Sequence, residues 1–256
     1  MKKRIVIKVG SAVLSQGDEI AKDRIINLVS LIAKIKEAGI DVILVTSGAV
    51  SAGYKKVPLD KSLLKNRQAL ASIGQLYLMS IYYKKFRIFG INIAQILLVE
   101  SDFVSKKRRK NARNNIEVLL ENGIVPIINE NDAVAIDELV FGDNDSLSAH
   151  TANLSDANLL VLLSDIDGYY DKNPKIYSDA KIKKYVDKIS DSELVQTASP
   201  NNEFATGGIV TKLKSAKILE KYGIPTFLTS GFDLNHVENF ILNGVFEKGT
   251  LFFGRK

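Results

Sequence analysis

Two lysines in this 256-residue chain stand beside glycine turns. Lys8 precedes Val9, Gly10 and Ser11 at the end of a β-rich run, and Lys212 follows Thr206, Gly207 and Gly208 by about one helical turn. Glycine lets a backbone approach an anion closely, and the free N–H groups at a helix start favour negative charge. An ammonium aimed at the same place completes a phosphate cradle. A glycine turn alone is ordinary, because turns need glycine; two such turns, each joined to a lysine, are harder to dismiss. A second group is acidic and amidic. Asp143, Asn144 and Asp145 could hold the lysines in place, bind Mg²⁺, or simply cap the helix that follows. Asn129 and Asp132 suit an ammonium or amide group on a small polar substrate.

The elements that must position these residues can be read from apolar spacing. Short β-rich or apolar runs predict strands at Arg4 to Val9, Asp41 to Val45, Ile91 to Val99, Ile124 to Ile128, Leu159 to Leu163, Pro225 to Thr229 and Thr250 to Phe253. Helical spacing predicts helices over Asp23–Ala38, Asn66–Phe86, Asn111–Glu121, a stretch from Ser146 towards Leu154, and Thr206–Tyr222. On the second of these, Leu70, Ile73, Tyr77 and Ile81 lie on one face, and Leu76, Leu78, Met79, Tyr82 and Tyr83 extend the apolar surface almost all round. Ala133 to Gly142 alternates like a hairpin. Strands alternating with helices imply βαβ units and a mainly parallel sheet covered on both faces, a three-layer α/β/α sandwich. The polar stretches at Lys8–Ser11, Thr46–Gly48, Asn129–Asp132 and Ser164–Asp165 all fall at the carboxyl ends of strands, where open parallel sheets bind ligands.

Much chemistry is excluded. There are no cysteines, so disulfides, thiolate nucleophiles and cysteine-held metals are out. The two histidines, His150 and His236, have no metal-site or triad spacing. No apolar run approaches the roughly 20 residues of a membrane span. Met1-Lys-Lys-Arg runs directly into an alternating strand, so a cytoplasmic protein without a signal peptide is expected. The balance of 35 basic and 29 acidic residues gives +6, which could suit nucleic acid. Lysine outnumbers arginine, however, and the one dense run, Lys106 to Lys110, has no interleaved aromatics and reads as a solvated face or subunit contact ahead of a helix. Walker A, GxGxxG and HRD patterns are all missing. A nucleotide enzyme here must use another phosphate cradle.

The combination resembles the amino acid kinase family, in particular its branch acting on free glutamate. The resemblance rests on Lys8-Val-Gly-Ser11, Val45-Thr-Ser-Gly-Ala49, Ala69 to Gln75, Asn111-Ala-Arg113, Ile127 to Val134, Gly142 to Ala149, Ser164-Asp165 through Pro174, Thr206 to Lys212 and Gly249 to Phe252. It implies one domain over residues 1–256, with residues 1–145 mainly binding L-glutamate and 146–256 mainly binding ATP. It implies phosphorylation of the γ-carboxylate, the first step of proline synthesis, without a covalent enzyme intermediate. Lys8 and Lys212 then stabilise the moving phosphoryl group and Asp145 orients them. Glutamate lies against Ser47, Asp132, Asn144 and Asn129. ATP lies against Lys8, Gly10, Ser164, Asp165 and the backbone of Thr206, Gly207, Gly208, Ile209, Val210, Thr211 and Lys212. Mg²⁺ bridges the β- and γ-phosphates, held by ATP and water, so no protein ligand is named. The resemblance also implies a homo-oligomer, a dimer or tetramer, and inhibition by proline through residues 50–75 and 130–145. Two departures stand out: many members carry a small further domain beyond this unit, and many have Thr where this chain has Ser164. The competing readings are an aspartate or N-acetylglutamate kinase, a silent amino-acid or nucleotide sensor, and a nucleic-acid binder.

Overall fold

Apolar runs such as Leu159–Leu163 have no polar side to turn to water, so they form strands only where both faces of the sheet are covered. The computed structural model describes residues 3–16, 19–134, 144–174, 176–197 and 208–252. In chain order it contains β1 (Arg4–Val9), α1 (Ser11–Leu14), β2 (Ser15–Gln16), β3 (Glu19–Ile20), α2 (Lys22–Glu37), β4 (Asp41–Val45), α3 (Ala49–Tyr54) and α4 (Leu64–Ile88). There follow β5 (Ile93–Leu98), α5 (Ser101–Val104), α6 (Lys106–Glu121), β6 (Val125–Glu130), α7 (Asn144–Leu154) and β7 (Leu159–Ser164). The last part holds β8 (Tyr185–Val186), α8 (Asp191–Thr197), α9 (Gly208–Glu220), β9 (Thr226–Ser230), α10 (Asn235–Glu238), a π-helical turn (Asn239–Asn243) and β10 (Thr250–Phe252).

Among the described residues, eight strands form one sheet in the order β5-β6-β4-β1-β7-β9-β10-β8. Every pairing is parallel except β9 with β10. β2 and β3 form a separate small hairpin. One face packs Ile5, Ile7, Val42 and Val161 against Ile25, Val29 and Ile32 of α2 and Leu78, Ile81, Tyr82 and Phe86 of α4. The other packs Val6, Ile43, Leu160 and Leu162 against Ile116 and Leu120 of α6, Leu147 of α7 and Leu213 and Leu219 of α9. This is the expected α/β/α sandwich. β1 is central, with Lys8 level with Val45 of β4 and Leu162 of β7, so one short strand reaches both halves of the sheet.

Three local expectations change. The basic run does not precede a helix but forms its first turn: α6 starts at Lys106, capped by the Ser105 hydroxyl, which accepts from the Arg108 N–H at 3.5 Å. Ser105 is a better N-cap than the lysines after it, so the helix extends back to it. On α4, Leu70 and Ile81 are buried and Tyr77 packs partly buried against the core, whereas Ile73 on the same face is exposed. The buried positions are Leu70, Ala71, Gly74, Gln75, Leu78, Ile81, Tyr82 and Phe86. Small residues face inward because α3 lies directly on α4. A Cβ on Gly74 would come 1.8 Å from the Ala49 carbonyl oxygen, and one on Gly53 1.9 Å from that of Leu70. The Thr46–Val50 turn also leads straight into α3, which begins after Gly48 at φ 98°. The hairpin expected over Ala133–Gly142 lies almost wholly outside the described residues. No helix among the described residues is long and apolar enough to cross a membrane.

Candidate active site

The carboxyl ends of β1, β4, β6 and β7 deliver Lys8, Thr46 and Ser47, Asn129 and Glu130, and Ser164 to one edge of the sheet. At its centre stands Asp145 in the first turn of α7, with 2% of its surface exposed. The Lys8 ammonium lies 2.5 Å from Asp145 Oδ1. The Lys212 ammonium lies 3.1 Å from Oδ2 and donates to the Gly208 carbonyl oxygen at 2.8 Å. Thr211 donates its hydroxyl to Oδ2 at 2.8 Å. Both lysines are buried. One carboxylate therefore holds two ammonium groups from β1 and α9, elements some 200 residues apart. Burial alone pushes the Asp145 carboxyl up, but the charges of Lys8 and Lys212 outweigh it and hold it below the ordinary value.

Gly10 lies beside this pair. A Cβ there would meet Leu163 O at 3.4 Å and the Lys8 ammonium at 3.8 Å. Its own N–H is donated to Leu163 O at 3.0 Å, so the glycine ties β1 to β7 and keeps space open beside Lys8. Ser164 is buried and donates its hydroxyl to exposed Asp165 at 3.0 Å. Gly208, Ile209, Val210 and Thr211 form the first turn of α9; Ile209 and Val210 point their side chains into the core. Thr206, Gly207 and Asp143 lie outside the described residues.

A second, uncharged cluster adjoins Asp145. The Asn144 amide nitrogen donates to Thr46 O at 2.7 Å, Ser47 Oγ at 2.9 Å and Asn129 Oδ1 at 2.9 Å. Asn129 in turn donates to Gln75 Oε1 at 2.9 Å. Behind Thr46, the Tyr82 hydroxyl lies 2.9 Å from its Oγ1; burial pushes that phenol far above its ordinary pKa. Asp132 follows β6. Burial raises its carboxyl pKa, and the nearby Arg67 charge offsets part of that. Lys8, Asp145, Thr211 and Lys212 thus meet directly, as do Ser47, Asn129 and Asn144, while Ser164 and Asp165 stand at the next strand end. Two contributors went unassigned in the sequence. Gln75 sits within the Ala69–Gln75 stretch, but its partner is 54 residues away. The Thr211 hydroxyl is the other: the sequence points to the residue's backbone N–H alone, whereas its side chain donates to Asp145. Among the described residues no three His, Asp or Glu side chains gather into a metal cage. The central carboxylate among them, Asp145, is engaged by Lys8 and Lys212.

Residues 3–230 match the amino acid kinase family. The chain belongs to that family. A glutamate 5-kinase from Wolinella succinogenes is 56% identical over 254 residues, covering 98% of this chain and 97% of the relative. One from Leishmania donovani is 53% identical, covering 99% and 96%. One from Geobacter sulfurreducens is 44% identical over 90% of this chain but only 62% of its own length, so longer relatives exist. Among solved structures, UMP kinase from Ureaplasma parvum superposes with a TM-score of 0.67 at 20% identity, covering 99% of both chains. An isopentenyl phosphate kinase gives 0.68 at 17%, covering 97% and 99%. At such identities the likeness is one of fold.

Proposed function

We propose that this chain transfers the γ-phosphoryl group of ATP to the γ-carboxylate of L-glutamate, forming L-glutamyl 5-phosphate and ADP, the first step of proline synthesis. The chain is a phosphotransferase of the amino acid kinase family, and its similarity to glutamate 5-kinases over nearly its whole length supports glutamate as acceptor. The observation that carries the chemistry is the buried Lys8–Asp145–Lys212 bridge.

A carboxylate oxygen of glutamate attacks the γ-phosphorus, and the bond from phosphorus to the β,γ-bridging oxygen breaks. The acceptor is already ionised, so no general base is required. Alignment and charge neutralisation remain. Lys8 and Lys212 face the moving phosphoryl group from two sides, and Asp145 keeps both ammonium groups pointed at it. Mg²⁺, carried by ATP rather than by a protein site, would supply neutralisation of phosphate charge beside Lys8 and Lys212. Ser164, Asp165 and the α9 start receive the nucleotide, and Thr206 and Gly207 are assigned to the same role. Gly10 leaves room beside Lys8 for the phosphates. Ser47, Asp132 and Asn144 receive glutamate, with Asp132 opposite its α-ammonium, and Asn129 acts through Asn144. Glutamate therefore falls mainly to residues 1–145 and ATP to 146–256. Proline, the end product, is assigned to the segments 50–75 and 130–145, and the active species to a homo-oligomer.

The test is a phosphotransfer assay with ATP–Mg²⁺ against glutamate, aspartate and N-acetylglutamate, trapping acyl phosphate with hydroxylamine. Glutamate should be strongly preferred. Preference for N-acetylglutamate or aspartate, or no transfer to any of the three, overturns the reading.

A further inference from the structure

Four carboxamides run in a line from the substrate side to the sheet edge. Asn144 donates to Asn129, Asn129 donates to Gln75, and Gln75 Nε2 donates to Gln95 Oε1 at 3.2 Å. Asn129 and Gln75 are buried, whereas Gln95 on β5, the outermost strand, is exposed. A carboxamide can usually turn over and exchange its donor and acceptor ends. Here it cannot, because backbone groups pin the line. The Glu130 N–H donates to Asn129 Oδ1 at 2.9 Å, and an N–H cannot accept, so oxygen must stand on that side. Asn129 Nδ2 then faces Gln75 and requires its oxygen. At the other end, the Thr46 carbonyl can only accept, so Asn144 must present Nδ2 to it. Three acceptors crowd that nitrogen. The opposite atom, Asn144 Oδ1, is buried and has no hydrogen-bond partner among the described residues. A buried acceptor without a donor is costly unless a ligand supplies one.

We infer that Gln75 is a positioning residue, which through Asn129 fixes the Asn144 carboxamide so that its Oδ1 accepts from the free α-ammonium group of the substrate. The inference rests on the glutamate reading above. With Gln75 in place, Asn129 has one favoured orientation and Asn144 offers an acceptor only. Without Gln75, Asn129 Nδ2 loses its buried acceptor, Asn129 can tilt towards other partners, and Asn144 is no longer held on that side. An acceptor suits a primary ammonium, which has three N–H bonds to share, better than an N-acylated amine, which has one.

The experiment compares wild type with Gln75→Met, Gln75→Glu and Gln95→Leu. It combines steady-state kinetics with calorimetric titration of glutamate in the absence of ATP, and melting curves report folding. Gln75→Met fills the same space without a hydrogen bond. It should raise both the KM and the Kd for glutamate by roughly 5–30-fold, the range for one buried hydrogen bond, with kcat and the KM for ATP changed far less. Gln75→Glu keeps an acceptor for Asn129, and the exposed Gln95 amide can turn to donate to it, so most of the glutamate affinity should return. Gln95→Leu alters only the exposed end and should weaken glutamate binding in the same direction by a smaller factor. Glutamate affinity within twofold of wild type in Gln75→Met, an equal loss for ATP, or a Glu variant no better than Met overturns the positioning role. If Gln75→Met fails to fold, an unchanged glutamate Kd in Gln95→Leu overturns it instead. A wild-type protein that does not phosphorylate glutamate overturns the underlying reading and the inference with it, whereas active wild type with an indifferent Gln75→Met overturns the inference alone.

Discussion

Asp145 holds two ammonium groups that would otherwise repel each other across a buried space. Its lowered pKa means that it stays ionised wherever the lysines are charged. Replacing Lys8 or Lys212 by Ala should therefore lower kcat by about 10²–10³-fold, the range for one transition-state donor, with a smaller rise in KM. Near-normal turnover in either variant would remove that lysine from the chemistry. Asp132 behaves in the opposite sense. Burial raises its pKa, so the folded chain binds this proton more tightly than the unfolded chain. Its contribution to stability is greatest in acid and is lost as pH rises from the ordinary carboxylate range through the raised value. Asp132→Asn should then melt higher than wild type at neutral pH in the absence of ligands, yet show a raised KM for glutamate and a nearly unchanged KM for ATP. A lower melting temperature, or a loss confined to ATP, contradicts this placement. Lys8, Lys212, Asn144 and Asp145 were legible from sequence because each sits beside a glycine turn or helix cap that marks it. Gln75 was not, because its role exists only once α4 is laid against β6, and nothing in its neighbours records that register.

Between these residues and the core lies the α3–α4 pair, where glycine replaces side chains at the contact. α3 begins two residues after Ser47, so whatever displaces it moves a substrate-side hydroxyl. Gly74→Ala places a methyl group 1.8 Å from the Ala49 carbonyl oxygen, a rigid neighbour. The helices must separate, and such overpacking costs about 1–3 kcal/mol or more. The expected result is a lower melting temperature together with weaker glutamate binding and little change for ATP. A variant that melts lower but binds glutamate normally would show that α3 and α4 can part without disturbing Ser47. The sequence placed α4 closely because helical periodicity is long and repeated there. It read α3 as a turn, since Thr46–Val50 is a run of small residues with a glycine and too short for any period to show. It also put Ile73 on the face of Leu70 and Ile81, where the structure leaves it exposed, because apolar character does not register the glycine that the α3 contact selects or the glutamine that Asn129 holds.

At the scale of the whole molecule, the layered class followed from strands alternating with helices, but the strand order did not. Apolar runs say that a strand is covered on both faces without naming its neighbours, so β1's place between β4 and β7 emerges only with the fold. The surplus apolar surface of α4 is the feature that sequence and structure both leave exposed. Leu76 is 77% exposed, Tyr83 52% and Ile73 36%. Ile73, Leu76 and Tyr83 recur at intervals of three and seven, which places them along one side of the helix. Next to α4 runs β5, the sheet's last strand, whose outer backbone edge has no neighbouring strand among the described residues. Natural proteins seldom leave an edge strand beside an apolar stripe uncovered, and a second subunit covers both at once. Wild type is therefore expected to scatter light as a dimer or larger at micromolar concentration. Leu76→Lys puts a charge in the middle of the stripe without touching the core, and should shift the protein towards monomer while its melting curve stays cooperative. A wild-type protein that is strictly monomeric and fully active would refute the oligomer, and Leu76→Lys with unchanged mass would move the contact away from α4.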